Sequence, residues 1–216
     1  MKTTKKGFTL IELIVVIAII GVLAAILVPT MLGYVKKSKV SSANSAASSV
    51  YKAINTALTE LDEEGTDVGG THILTWDGVT NKFWSGASAS TGLADTDITG
   101  ATTSKFEVKV ANFFEDISKI RSAKAAISGG TCLAVACAQD STYTGSQPGG
   151  VSTTDTYEDY KPVSNVVPDA ALADAVILAC GGKLTTNDSG TGTAAAATKG
   201  YTVTWATGAG STISVT

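Results

Sequence analysis

The sequence of 216 residues has little of what catalysis usually needs. There is one histidine, His72, beside Ile73 in a strand-like run, and a lone imidazole there reads as a structural or exposed residue, not a ligand. No HExxH pair and no phosphate-cradling Gly-Lys-Ser/Thr loop occurs, so nothing points to an enzyme, a cofactor or a metal centre. Charge is scarce too: Asp, Glu, Lys and Arg make up 16% of the chain, below the usual quarter. Sixteen basic residues against 19 acidic ones leave a net charge of -3, which argues against direct capture of nucleic acid. The chain is nevertheless too apolar to be a disordered acidic protein, with a mean hydropathy of +0.22. That average hides a division, because the apolar residues are concentrated near the N-terminus.

From Phe8 to Val28 the sequence runs FTLIELIVVIAIIGVLAAILV. At 1.5 Å per residue these positions reach about 31 Å as a helix, matching a hydrocarbon core of about 30 Å. The run is longer than a signal-peptide core, and the helical pattern continues past Pro29 where a cleavage site would be expected. A single membrane-spanning segment is the reading. Glu12 stands out inside it, between Ile11 and Leu13, because an acidic group near mid-bilayer costs roughly 2.5–3.5 kcal/mol. Either it sits near the bilayer edge and reaches water, or it takes a cationic partner. The run holds no Lys or Arg, but a cut between Gly7 and Phe8 would create a new α-amino group one turn before Glu12.

The stretch Lys5-Lys6-Gly7-Phe8-Thr9-Leu10-Ile11-Glu12, followed by the apolar run and Pro29, resembles the type IV pilin and type II secretion pseudopilin family. The resemblance covers about the first 40 residues. It implies a cleaved leader (residues 1–7), removed after Gly7 by a prepilin peptidase that then N-methylates Phe8. It also implies that Glu12 neutralises the N-terminal amine and fixes register during assembly, and that Pro29 loosens the helix. Pairing of Glu12 within the chain, at i, i+4 from Phe8, or with a neighbouring subunit both remain open. A buried amine–carboxylate pair serves register better than net stability, because desolvation offsets much of the attraction. Basic residues flank the run on both sides, Lys2, Lys5 and Lys6 before it and Lys36, Lys37 and Lys39 after it. The resemblance, not charge, therefore places the leader in the cytoplasm.

Beyond the apolar run, Val40, Ala43, Ala47, Val50, Ile54, Ala57 and Leu61 recur at steps of three and four, an amphipathic helical stripe. Residues 8–34 are read as the membrane and assembly half of one helix and 35–62 as its amphipathic continuation. The second half is expected to pack under its own domain rather than into a coiled coil. Pro29 inside the helix predicts a local loosening, and Asp62-Glu63-Glu64-Gly65 its stop at the glycine.

Residues 63–216 are expected to form a globular head. Strands are read at 71–76, 131–139, 200–206 and 211–215, the last two joined by a hairpin at 207–210. Helices are read at 108–128 and 169–180. The fold class is α+β, a long N-terminal helix against an antiparallel sheet with further short helices, in agreement with the pilin headgroup.

Three features of the head invite functional readings. Cys132, Cys137 and Cys180 lie in the part that the resemblance places outside the cytoplasm. Cys132 and Cys137, five apart in one strand, are expected on opposite faces, so either one of them bridges to Cys180 or all three are buried thiols. Asp155, Glu158, Asp159 and Asp169 are candidate calcium ligands without the alternating acidic frame of a known loop, so a solvated loop is the preferred reading. Trp76, Trp84, Tyr143, Tyr157, Tyr160 and Trp205 could present a carbohydrate or surface-binding face, with Tyr157-Glu158-Asp159-Tyr160 the best placed and most of the others read as core. Asn187-Asp188-Ser189 is a formal glycosylation sequon of little weight.

The resemblance implies a pilus subunit supporting adhesion or motility. Its partners would be copies of itself in a helical filament, the prepilin peptidase, membrane lipid, and the assembly platform with its ATPase. Before assembly the chain would be a single-pass protein of the inner or cytoplasmic membrane, and afterwards part of an extracellular filament. The alternatives are a pseudopilin of a secretion or competence system, and a minor pilin with a polysaccharide-binding head. Loss of the leader removes Lys2, Lys5 and Lys6 and takes the side-chain balance three units lower, to -6.

Overall fold

The structure is a computed structural model that describes residues 7–80, 83–87, 105–149, 161–162, 166–180, 192–196, 201–205 and 213–215. Helix α1 spans Leu10–Glu63, helical throughout and with Pro29 inside it. It ends as its sequence directs. Gly65 takes a positive φ of 79°, its N–H donates to Asp62 O at 2.9 Å, and Thr66 N–H donates to Leu61 O at 2.9 Å. These two bonds satisfy carbonyls that the helix leaves open, with glycine at the one position where a side chain would be strained.

After α1 come β1 (Thr71–Asp77), β2 (Phe83–Ala87), α2 (Lys105–Phe113), a 3-10 segment (Glu115–Lys119), β3 (Ser122–Ser128), β4 (Thr131–Ala138) and β5 (Thr144–Gln147). Helix α3 (Asp169–Ala179) and strands β6 (Gly192–Ala196), β7 (Tyr201–Trp205) and β8 (Ile213–Val215) follow. The first five strands form an antiparallel sheet in the order β2-β1-β3-β4-β5, and the last three form a second antiparallel sheet in sequence order.

One face of the larger sheet carries the second half of α1. All seven predicted stripe residues from Val40 to Leu61 are buried, joined by Ala46, Ala53 and Leu58. Ala47, Val50, Ile54 and Leu58 pack with Leu74, Trp76, Ala123, Ile127 and Val135 in one cluster. Small residues let the layers approach closely. A Cβ on Gly145 of β5 would lie 2.1 Å from the backbone carbon of Ala43, so only glycine fits where β5 runs against α1. The other face carries α3, which also contacts β6 and β7 and so lies between the two sheets. That explains why its residues from Asp169 to Ile177 are all buried, polar ones included.

Two readings of the sequence are corrected here. The predicted helix at 108–128 stops at Phe113, passes through the 3-10 segment and becomes β3. Ser-Ala-Lys-Ala-Ala-Ile-Ser has helical preference, but β1 and β4 hydrogen-bond to it on both sides and that pairing overrides propensity. The second correction concerns the cysteines. Ala126 pairs with Ala134 and Ile127 with Cys132, so Leu133 is an extra residue, a β-bulge that shifts the alternation. Cys132 and Cys137 therefore share the face toward α1, while Ala134, Ala136 and Ala138 face α3. Cys180 is buried in the cluster on the α3 side, with the sheet between, and none of the three cysteines is in a disulfide. The bridge from Cys132 or Cys137 to Cys180 is thus not formed. Burial in apolar surroundings pushes the Cys132 and Cys137 thiols up, Cys137 to about 12, which keeps them inert.

Candidate functional site at the N-terminus

The N-terminal half of α1 is a run of uncovered apolar side chains. Phe8, Leu10, Ile11, Leu13 and every large apolar residue onward to Val35 are exposed, Phe8 at 81%. By length and composition the helix can cross a membrane, with none of its most apolar window buried by the chain itself. Exposure on that scale far exceeds the patches that monomers in water carry, so this surface is built for another environment.

Helix α1 opens with a specific device. Thr9 precedes the first helical residue, and both its N–H (2.8 Å) and its hydroxyl (2.7 Å) donate to Glu12 Oε2. Glu12 N–H donates in return to Thr9 Oγ1 at 3.4 Å. This is the reciprocal capping box that a Thr three residues ahead of a Glu predicts, and the Thr-x-x-Glu spacing was the signal that could have revealed it. Glu12 is therefore held by its own chain. Its carboxylate borders a shallow apolar groove with Phe8, Ile11, Val15 and Val16. The opening Thr9 bonds use one oxygen, leaving the other oxygen of the carboxylate for an incoming donor.

Gly7 has no atom within 4 Å of where a Cβ would stand, so the backbone at the expected cut is open on that side. Pro29 cannot supply an N–H to Ala25, and beside it the Thr30 hydroxyl donates to Leu27 O at 2.9 Å, a local bond at the same weak point.

A family model described as the prokaryotic N-terminal methylation motif matches residues 2–28. The type IV major fimbrial protein FimA of Dichelobacter nodosus is similar: one form is 48% identical over 67 residues, 31% of this chain and 42% of its own. Another form is 40% identical over 95 residues, 44% of this chain and 61% of its own. Over its N-terminal segment the chain is similar to type IV pilins. The type IV major α-pilin of Moraxella bovis is 38% identical over 86 residues, 40% of this chain and 49% of its own. The chain spans roughly two fifths to three fifths of the length of these curated relatives. No solved structure matches the chain significantly. Among the described residues the second half of a long N-terminal helix lies on an antiparallel sheet, a pilin-like arrangement.

In the head, the other candidates that fall on described residues resolve into structural parts. Trp76 and Trp84 are buried, their ring centroids 5.8 Å apart, and Trp84 meets Phe106 edge-on at 6.0 Å. Trp76 Nε1–H donates to Ile120 O at 2.9 Å. Neither tryptophan can meet an external ligand, and Tyr143 is half-buried against the α3 cluster. His72 is buried, with Nε2 3.0 Å from Gly69 O, a structural role as read from the sequence. Asp169, one of the four candidate calcium ligands, is buried and ion-paired with Lys124. Tyr157, Tyr160, Trp205, Asp155, Glu158, Asp159, the sequon at 187–189 and the hairpin loop at 207–210 lie outside the described residues. Among the described residues no group of three or more His, Cys, Asp or Glu is placed to hold a metal ion.

Proposed function

We propose that this chain is the precursor of a structural subunit of a type IV pilus. A prepilin peptidase removes residues 1–7 after Gly7 and N-methylates Phe8; the bilayer then holds the subunit by residues 8–34. An assembly platform with its ATPase moves that segment from lipid into a filament of identical copies, which displays the head outside the cell. The observation that carries this reading is the uncovered apolar half of α1 with one carboxylate, Glu12, at its start. Cleavage creates an amine on Phe8, and the oxygen of Glu12 not used by Thr9 is free to take it, from its own chain or a neighbour. Such a pair fixes register between otherwise featureless apolar surfaces. The fimbrial names of the relatives favour a pilus over a secretion pseudopilin.

Glu12→Ala tests the reading in cells that make filaments. The processed, Phe8-methylated chain should still accumulate in the membrane while surface filaments fall by an order of magnitude or more. Filaments at the wild-type level would overturn the register role, and a mature N-terminus other than Phe8 by mass spectrometry would overturn the processing.

A further inference from the structure

We infer that Lys124 and Asp169 form an intramolecular isopeptide crosslink tying β3 to α3. Lys124 is the one charged residue of its strand, a lysine among Ser122, Ala123, Ala125 and Ala126 where β1 and β4 flank it on both sides. Its side chain lies on the α3 face, where its cross-strand neighbours are Thr75 and Ala136. There Lys124 Nζ meets Asp169 Oδ1, with side-chain exposures of 9% and 1%. The second carboxylate oxygen, Asp169 Oδ2, is buried without a hydrogen-bond partner among the described residues.

As an ion pair this arrangement is poor. Two charges are desolvated in an alanine-lined layer, and one oxygen gains no compensating donor. As reactants the same groups are well placed: an amine and a carboxyl held together, away from bulk water, by two packed elements. One ammonium proton passes to Oδ1, giving a neutral amine and a neutral acid. The Nζ lone pair then adds to Cγ of Asp169, the Nζ–Cγ bond forms and the Cγ–Oδ1 bond breaks. Oδ1 leaves as water with two of the three ammonium protons, and the third remains as the amide N–H. No oxidant or other co-reactant is needed, and both buried charges disappear. In a subunit that bears load, the product would fasten α3 to the sheet covalently.

Mass spectrometry of the full chain extracted from membranes tests this directly. The expected result is a branched tryptic peptide joining the Lys124 and Asp169 segments, lighter by one water than the sum of its parts. Lys124→Arg and Asp169→Ala should each abolish the branched peptide completely. Asp169→Asn should restore it, now with loss of ammonia. Recovery of wild-type Lys124 and Asp169 in separate linear peptides at full mass would overturn the proposal, and needs no variant to fold.

Discussion

The two halves of α1 show one helix solving the same problem in two ways. Before Val35 its large apolar side chains are exposed and point to all sides; from Val40 onward a stripe of Ala, Val, Ile and Leu is buried against the sheet of its own chain. The first half is bulky and branched, suited to lipid or to other copies of itself. The second is small-stepped, letting β5 run against its backbone at Gly145. Side-chain size and distribution, not helix propensity, separate an exposed apolar surface from an internal core.

Paired truncations would break or sharpen that contrast most strongly. Ile54→Ala, at a fully buried site, should destabilise the detergent-extracted full chain by about 2–5 kcal/mol in a denaturant titration of the head. Ile17→Ala, chemically the same change, should leave that titration within about 0.5 kcal/mol of wild type. Equal effects would mean that the exposed half contributes to the monomer's own stability.

A smaller effect separates the two sides of the sheet. Asp174 of α3 is buried, and desolvation pushes its carboxyl up from 3.8 to about 7. The folded state therefore holds this proton more tightly than the unfolded state. Its contribution is complete below about pH 4 and is lost as pH rises toward 7, on the order of 1–3 kcal/mol. Asp174→Asn should flatten the stability profile over that window, and thermal melts of both forms at several pH values would read it. A wild-type head equally stable across the window would refute the burial argument.

The smallest effect lies where α2 meets the end of α1. Lys109 Nζ bridges Glu64 at 2.6 Å and Glu60 at 3.1 Å. The hydrogen bond from Lys109 holds the Glu64 carboxyl below its ordinary range and raises Lys109. The bridge stabilises above the usual carboxylate range and is lost as pH falls through the lowered Glu64 value. Lys109→Met should lower the melting midpoint slightly at neutral pH and low salt, with the difference fading in high salt. A difference independent of salt would mean packing, not charge.

Several elements were legible in advance because their signals are local. The stripe from Val40 to Leu61, the stop at Gly65 and the strands β1, β4, β7 and β8 follow from periodicity and turn chemistry. The predicted antiparallel pairing of the last two strands is present as well. At the candidate site, Glu12 stands out because a carboxylate in an apolar helix is expensive anywhere, and Gly7 and Phe8 through the motif that resembles a pilin leader. The bond from Thr9 to Glu12 is equally local and is carried by the Thr-x-x-Glu spacing.

What the sequence determined by itself is the N-terminal half of the protein's logic: an apolar helix of membrane length, one carboxylate and the motif around Gly7. The first two rest on helix geometry and on the cost of charge in lipid, neither of which needs a partner, and the third on a resemblance. What only the tertiary structure decided lies in the head. Strand pairing on both sides made β3 from a helix-favouring segment, and one extra residue at Leu133 moved Cys132 and Cys137 onto the same face. Packing between two sheets buried all of Asp169–Ile177 and brought Asp169 to Lys124, 45 positions away. These outcomes depend on long-range register, in which a single added residue reverses which side chains meet, and no local pattern carries that information.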